Sequence, residues 1–364
     1  MKVLTVYDVR PVGDNPFVEL LCEHLSRAGV DMTCSVSEFW DSTAKNYDVI
    51  HFHWPEEVVG WNCEDSEIPD RLRTRVNSYK QAGVKIVYTR HNIGPHYPNK
   101  VIEQAYRIIE EESDVVVHMA GYSLCEFQKK YPDSKNSIIP HHIYEGRYDQ
   151  TTSQAEARTS LGIPADAYVV VTFGKFRNWT EVRMVLRAFL NFQCRNKYLL
   201  ASRLLPFFSK DPHHRGFFKR TISQVGYRML VPALGHFCVL AGANDVVMED
   251  RLLSLQLIAS DLVFIQRKQI LNSGNLPLAF LFGKAVVGPN VGNVGEILEK
   301  TGNPVFDPMV EKTIAIALQE AKAKGEDLGS RNFEYALSNW KMAVVAQKYV
   351  DLYDSLTNPI IHGH

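Results

Sequence analysis

Short apolar runs and amphipathic stretches alternate along the first half of the chain. Residues 3–7 are apolar or β-branched and predict a strand, and residues 16–28 repeat their apolar positions at helical spacing before stopping at Gly29. Residues 48–53 and 84–89 predict further strands, separated by a helix over residues 68–81. A charged helix over residues 101–112 leads to strands at 115–118 and 137–140. Strands alternating with helices predict a parallel sheet covered on both faces.

Residues 145–165 are polar, lack an apolar face and read as a linker. The alternation then restarts. Strands are predicted at residues 168–173, 237–241, 262–266 and 285–287, with helices at 182–192, 248–259 and 276–282. A last helix over residues 332–356 carries Trp340, Tyr349 and Tyr353 and is a candidate to pack back on the first domain. The expected fold is α/β, with two doubly wound Rossmann-like domains facing a cleft. They would span residues 1–150 and 151–335, and residues 336–364 would cross back to the first. In such sheets ligands bind beyond the carboxyl ends of the strands, so chemistry is sought just after each strand.

Composition narrows the class. A chain of 364 residues suits two domains. Hydrophobic residues at 45% and charged residues at 22% fit a soluble globular protein and exclude bulk disorder. Lys+Arg at 40 against Asp+Glu at 41 leaves a net charge of -1, so no nucleic-acid partner is indicated and any basic surface is local. Cys22, Cys34, Cys63, Cys125, Cys194 and Cys238 form no CxxC pair; reduced thiols and a cytoplasmic setting are expected, with no disulfide framework or zinc site. The first residues read as a strand start rather than a signal peptide, and no apolar run is long enough to cross a bilayer.

Three familiar motifs are absent. No GxGxxG follows the first strand, no GxxxxGK[ST] occurs, and no GxSxG elbow appears. The most informative stretch is Gln266-Arg267-Lys268-Gln269-Ile270-Leu271-Asn272-Ser273-Gly274-Asn275-Leu276-Pro277. It follows a buried strand and opens a helix with small polar residues, which would offer free N–H groups and a positive dipole end to a phosphate. Arg267 and Lys268 add charge. The plainer alternative is a Ser/Asn helix cap beside solvated cations. After the first strand of the second half comes Gly174-Lys175-Phe176-Arg177-Asn178-Trp179. Gly admits close backbone approach, Arg177 offers a bidentate fork and Lys175 a point charge for a diphosphate. Alone it also reads as a basic surface turn; two basic loops on one sheet are harder to dismiss.

In the first half, strands run into His51-Phe52-His53-Trp54-Pro55-Glu56 and into Arg90-His91-Asn92-Ile93-Gly94-Pro95-His96, and others end at His118 and at His141-His142. Seven of the 13 histidines therefore lie at predicted strand ends, which suggests one lined cavity. The competing metal reading lacks an HxxxH pair or a His/carboxylate triad.

Together these stretches resemble GT-B glycosyltransferases, especially the family-4-like group that builds bacterial surface polysaccharides. The resemblance covers nearly the whole chain and rests on FGKFRNWTEVRMVLRAF, SGNLPLAFLFGKAVVGPNVGNVGE, HFHWPE, RHNIGPH and the helix holding Trp340. It implies that the C-terminal domain holds a nucleotide-diphosphate sugar and the N-terminal domain the acceptor. Lys175 matches the family's usual Arg, while the family's following Lys falls on Thr180, so Arg177 or Lys268 would substitute. Gly174, Asn272, Ser273, Gly274 and Asn275 complete the implied donor site. His91 matches a His placed near the transferred hexose, and Asn15, His53 and Asn92 fall on the acceptor side.

One departure stands out. The second Glu of the family's pair is Leu278 here, and the first falls near residues 270–272. Ser-Gly at this place resembles some inverting mannosyltransferases, which leaves retention and inversion both open. An inverting route needs a base, for which Glu56, Asp14 and His91 are candidates. Asp14 equally reads as a helix N-cap and Glu56 as a solvated loop charge. Lys175, Arg177, Lys268 and the helix N-terminus would stabilise the leaving diphosphate, so no metal or other cofactor is expected. The implied activity is a cytoplasmic hexosyltransferase acting on a glycan or lipid-linked glycan in surface polysaccharide synthesis. A nucleotide-sugar epimerase of the same fold and an inactive scaffold are the alternatives.

Residues 195–228 hold Arg195, Lys197, Arg203, Lys210, Arg215, Lys219, Arg220 and Arg228 against Asp211 alone, interleaved with leucines and phenylalanines and with His213 and His214. The segment is a candidate for docking on the anionic inner face of the plasma membrane. A packed insertion with solvated arginines is the alternative.

Overall fold

The computed structural model describes residues 1–9, 15–97, 99–209, 217–243 and 248–358. The chain divides into two compact units, Met1–His142 with Asn339–His364, and Ile143–Ser338.

The first unit holds strands β1 (Lys2–Thr5), β2 (Asp31–Cys34), β3 (Val49–Phe52), β4 (Lys85–Thr89), β5 (Val115–His118) and β6 (Asn136–Ile138). They pair in parallel in the order β2-β1-β3-β4-β5-β6. Every residue of β3 and β5 is buried, as expected of inner strands with helices on both faces. The strand order reverses between β1 and β3, the switch point at which ligands bind in doubly wound sheets.

Helix Phe17–Arg27 buries Phe17, Val18, Leu21 and Leu25 on this sheet, and helix Met342–Thr357 joins it through Val345, Ala346, Tyr349 and Tyr353. Two tyrosine hydroxyls thereby enter the core and must find partners there. The Tyr353 hydroxyl lies 2.7 Å from His51 Nδ1, His51 Nε2 lies 2.8 Å from Thr89 Oγ1, and Thr89 Oγ1 lies 3.0 Å from the Tyr349 hydroxyl. A neutral imidazole presents one donor and one acceptor, so both of its neighbours are satisfied in either tautomer.

The second unit repeats the plan with β7 (Tyr168–Val171), β8 (Lys197–Leu205), β9 (Val239–Ala243), β10 (Leu262–Phe264), β11 (Ala285–Pro289) and β12 (Val305–Phe306). The order is β12-β11-β10-β7-β8-β9, again parallel, and it reverses between β10 and β7. The doubly wound α/β class expected from the alternation thus holds in both units.

Three local expectations fail. The polar stretch read as a linker contains helix Gln154–Leu161, opened by a capping box in which Ser153 Oγ accepts the Glu156 N–H and the Glu156 carboxylate accepts the Ser153 N–H. Its buried face is made by Ala157 and by Arg158, whose guanidinium donates to both Asp261 oxygens at 2.9 Å. Residues 332–356, read as one helix, belong to two, Glu311–Asn339 and Met342–Thr357, separated at buried Trp340. The basic segment 195–228 is not one surface element. Leu199, Leu200, Leu204 and Leu205 lie on β8 inside the sheet core, and Lys197 Nζ donates to the carbonyls of Phe189, Leu190 and Phe192 at a helix end. Lys210, Asp211, His213, His214 and Arg215 lie outside the described residues.

Tyr353→Phe strands His51 Nδ1 in the core, which is expected to cost about 1–3 kcal/mol. Tyr349→Phe leaves the His51 contacts in place and is expected to cost less. Thermal unfolding of the two variants checks this; an unchanged midpoint for Tyr353→Phe contradicts the anchoring role of the hydroxyl.

Candidate active site

In the second unit, β7 and β10 are neighbours at the reversal of strand order, and the two basic loops leave from their carboxyl ends. The loops are tied together by side chains of the second. Asn275 Nδ2 and Gln266 Nε2 both donate to the Phe173 carbonyl, at 2.9 and 3.1 Å, and Arg267 Nη2 donates to the Lys175 carbonyl at 2.7 Å. Glycine is needed there for its backbone: Gly174 has φ +84°, a conformation that other residues rarely adopt.

Arg267 also holds Glu181, with Nη1 2.8 Å from Oε2; the Glu181 side chain is buried and that of Arg267 nearly so. Glu181 Oε2 in turn accepts the Arg177 backbone N–H at 2.8 Å, while Asn178 Oδ1 caps helix Trp179–Asn191 through the Glu181 N–H. Burial lowers the Arg267 pKa to about 10; Glu181 opposes this and Arg177 adds to it. Arg267 thus remains charged at neutral pH but is committed to structure. Lys175 and Arg177 are exposed and Lys268 partly so.

A cavity of about 650 Å³ is lined by Arg177, Asn178, Lys268, Gln269, Asn290 and Asp307 among others. It falls within the roughly 300–1,000 Å³ typical of small-ligand sites. Lys175 and Ser273 are not among its lining residues. The expected phosphate loop is ordered by its neighbours. Asn293 Nδ2 donates to Asn272 Oδ1 at 2.6 Å, and Ser273 Oγ accepts the Asn275 N–H at 3.3 Å. Gly292, at φ +62°, lies so close that a Cβ would sit 2.1 Å from the Ile270 carbonyl oxygen. Gly274 precedes a helix of only 7 residues, Asn275–Leu281. Leu278 is buried, so the position of the second Glu in the resembling family is occupied by core packing.

In the first unit the strand-end histidines pack instead of lining an open cavity. Phe17 stacks on His142 at 4.5 Å and meets His141, His91 and His53 edge-on at 4.6, 5.0 and 5.8 Å. His53 Nδ1 lies 3.0 Å from His91 Nε2, and Trp54 stacks on His91 at 4.1 Å. His118 stands apart, held by Ser123 Oγ and Asn136 Oδ1, each at 2.8 Å. Burial holds His53 and His91 well below the usual histidine range, and repulsion from neighbouring imidazoles adds to it. His53 Nε2 and Asn92 Nδ2 are buried without a partner, so two of the three acceptor-side candidates keep an unspent polar atom. Asn15 Oδ1 accepts the Phe17 N–H at 3.2 Å, while Asp14, considered as the cap of this helix, lies outside the described residues.

Glu56 is not a solvated loop charge. It is buried in helix Pro55–Val59, and its carboxylate accepts the Tyr106 hydroxyl at 2.9 and 3.1 Å, the His96 N–H at 3.2 Å and His96 Nδ1 at 3.0 Å. Its partner His96 is partly exposed, on the loop that follows β4. This dyad joins residues 40 apart in sequence, so His96 could be counted as a strand-end histidine but not paired. Among the described residues, no three His, Cys, Asp or Glu side chains are grouped to hold a metal ion.

Burial pushes His51 and His141 down to about 3 and His118 to about 4, with Asn136 partly opposing the last. The folded chain keeps these rings neutral where the unfolded chain, with an ordinary value of 6.5, takes up protons. Their stability contribution is therefore intact above about pH 6.5 and is lost as pH falls toward 4, at up to about 1.4 kcal/mol per pH unit for each ring. The thermal midpoint is expected to drop steeply between about pH 6 and pH 5. A flat midpoint over that window contradicts the assignment.

No family model matches the sequence, and no curated protein matches it. Solved structures do. Sucrose-phosphate synthase from Thermosynechococcus elongatus superposes with a TM-score of 0.68 at 14% identity, over 98% of this chain and 99% of that one. The Anabaena protein HepE in complex with UDP-glucose gives 0.67 at 16% identity, over 98% and 100%. The catalytic domain of starch synthase IV from Arabidopsis thaliana, bound to ADP and acarbose, gives 0.61 at 13% identity, over 98% and 99%. Two parallel doubly wound sheets, each with its reversal of strand order, and these superpositions lead to one conclusion: the chain has the GT-B glycosyltransferase fold.

Proposed function

We propose that this chain is a glycosyltransferase that moves a hexose from a nucleotide-diphosphate sugar to a hydroxyl of a glycan or lipid-linked glycan. The setting is surface polysaccharide synthesis at the cytoplasmic face of the membrane. The observation that carries the reading is the junction of the two basic loops beside Gly174, where Asn275 and Arg267 hold them together. Similar structures support the donor class, since HepE was solved with UDP and with UDP-glucose.

Departure of the nucleoside diphosphate concentrates negative charge on phosphate oxygens. Lys175, Arg177 and Lys268 meet that charge, because Arg267 has already taken Glu181, the buried carboxylate nearby. Transfer then needs no metal ion. Gly174, Asn272, Ser273, Gly274 and Asn275 shape the loop on which the diphosphate rests. His91, neutral through burial, contributes hydrogen bonding beside the transferred sugar, and Asn15, His53 and Asn92 serve the acceptor side. In an inverting route His96 is the base. Its Nδ1 is oriented by Glu56, which leaves Nε2 to take the proton of the acceptor hydroxyl.

Thermal-shift titration with UDP, GDP, ADP and TDP is expected to raise the midpoint with at least one of them. Lys175→Ala and Lys268→Ala are expected to lower transfer by on the order of 100-fold with an unchanged midpoint in the absence of nucleotide. Full turnover in both variants overturns the assignment, and nucleotide binding without any transfer points to an inactive scaffold.

His96→Ala is expected to lower kcat by on the order of 100-fold while the nucleotide dissociation constant stays put. Glu56→Gln should lower it less. An unchanged kcat for His96→Ala removes His96 from the chemistry.

A further inference from the structure

We propose that helix Phe217–Gly235 is a docking face for an anionic lipid bilayer. Its outer side carries Phe218, Ile222, Val225 and Met229, which are 77%, 53%, 50% and 69% exposed. The spacing i, i+4, i+7, i+11 aligns them in one stripe along the helix axis. The opposite side seats the helix on the unit. Ser223 Oγ accepts the Ser209 N–H at 2.9 Å and donates to the Phe207 carbonyl at 3.2 Å. Gly226, on the Lys219 flank of the stripe, also touches the unit: a Cβ there would stand 2.3 Å from the Phe208 ring. The stripe itself faces away from Ser223, the buried residue of the helix.

Charge selects the occupant. The 19-residue helix has no Asp or Glu, and its charged residues are Lys219, Arg220 and Arg228. At about 100° per residue, Lys219 and Arg228 lie roughly a quarter turn to either side of the stripe. Apolar side chains flanked by snorkelling cations fit a layer of acyl chains beneath anionic headgroups. Two copies pairing through this face would oppose cation to cation, with no acid on the helix to meet them. The mode is surface docking, because among the described residues no helix is long and apolar enough to cross a membrane.

The proposal extends the reading of a lipid-linked acceptor but rests on the helix itself. The test is flotation of the full chain with phosphatidylcholine vesicles, with and without phosphatidylglycerol. Binding is expected only with phosphatidylglycerol and is expected to weaken in high salt. Ile222→Asp combined with Met229→Asp should reduce bound protein by on the order of tenfold. Its thermal midpoint, nucleotide-induced stabilisation and transfer to a soluble acceptor should stay unchanged. Absence of binding, or equal binding by parent and variant, overturns the proposal. So does a concentration-dependent dimer that the same pair of substitutions abolishes without any vesicle binding, since the face then belongs to a second copy. Failure of transfer to every acceptor with flotation intact would instead count against the transferase reading alone.

Discussion

The contact between Arg267 and the buried Glu181 is the constraint on which the geometry of the two basic loops depends. A guanidinium taken out of water needs a compensating carboxylate, and removing either partner leaves the other stranded, at a cost of about 3–5 kcal/mol. The pair does more than neutralise itself. Arg267 holds the Lys175 carbonyl, and Glu181 holds the Arg177 N–H, so one contact fixes the backbone of both exposed cations. Lys175 and Arg177 can then face solvent from a loop whose path is already set, with Lys268 on the neighbouring loop. That is the preorganisation which the proposed donor role demands, where cations meet charge as it develops on a leaving phosphate.

The other unit follows the opposite electrostatic plan. Its strand ends carry imidazoles, and burial around Phe17 keeps His53 and His91 uncharged. Under the proposed acceptor role, these neutral desolvated rings and the Asn92 amide would recognise hydroxyls, where discrimination comes from leaving or satisfying a buried polar atom. His51 has a different task. It stands in the middle of a hydroxyl chain, Tyr353–His51–Thr89–Tyr349, that fastens the C-terminal helix to the sheet of the first unit.

The fold was legible because inner parallel strands are near-continuous apolar runs, as at residues 168–173. Elements escaped where the buried surface is not apolar in sequence. Helix Gln154–Leu161 packs through the guanidinium of Arg158, β2 is four half-exposed residues at a sheet edge, and β8 was masked by the cations interleaved with its leucines. The two basic loops were visible as Gly, Lys, Arg and Ser-Gly-Asn at strand ends. The division of labour among their cations was not, because it depends on Glu181 and Arg267, 86 positions apart. The pairing of Glu56 with His96, 40 positions apart, was hidden for the same reason.

The most direct test of the central claim is a crystal structure of the chain with the nucleoside diphosphate that stabilises it. The account requires the diphosphate oxygens to lie within hydrogen-bonding distance of at least two of Lys175, Arg177 and Lys268, with Arg267 still on Glu181. A diphosphate bound away from residues 174–177 and 268–275, or one that draws Arg267 off Glu181, would contradict it.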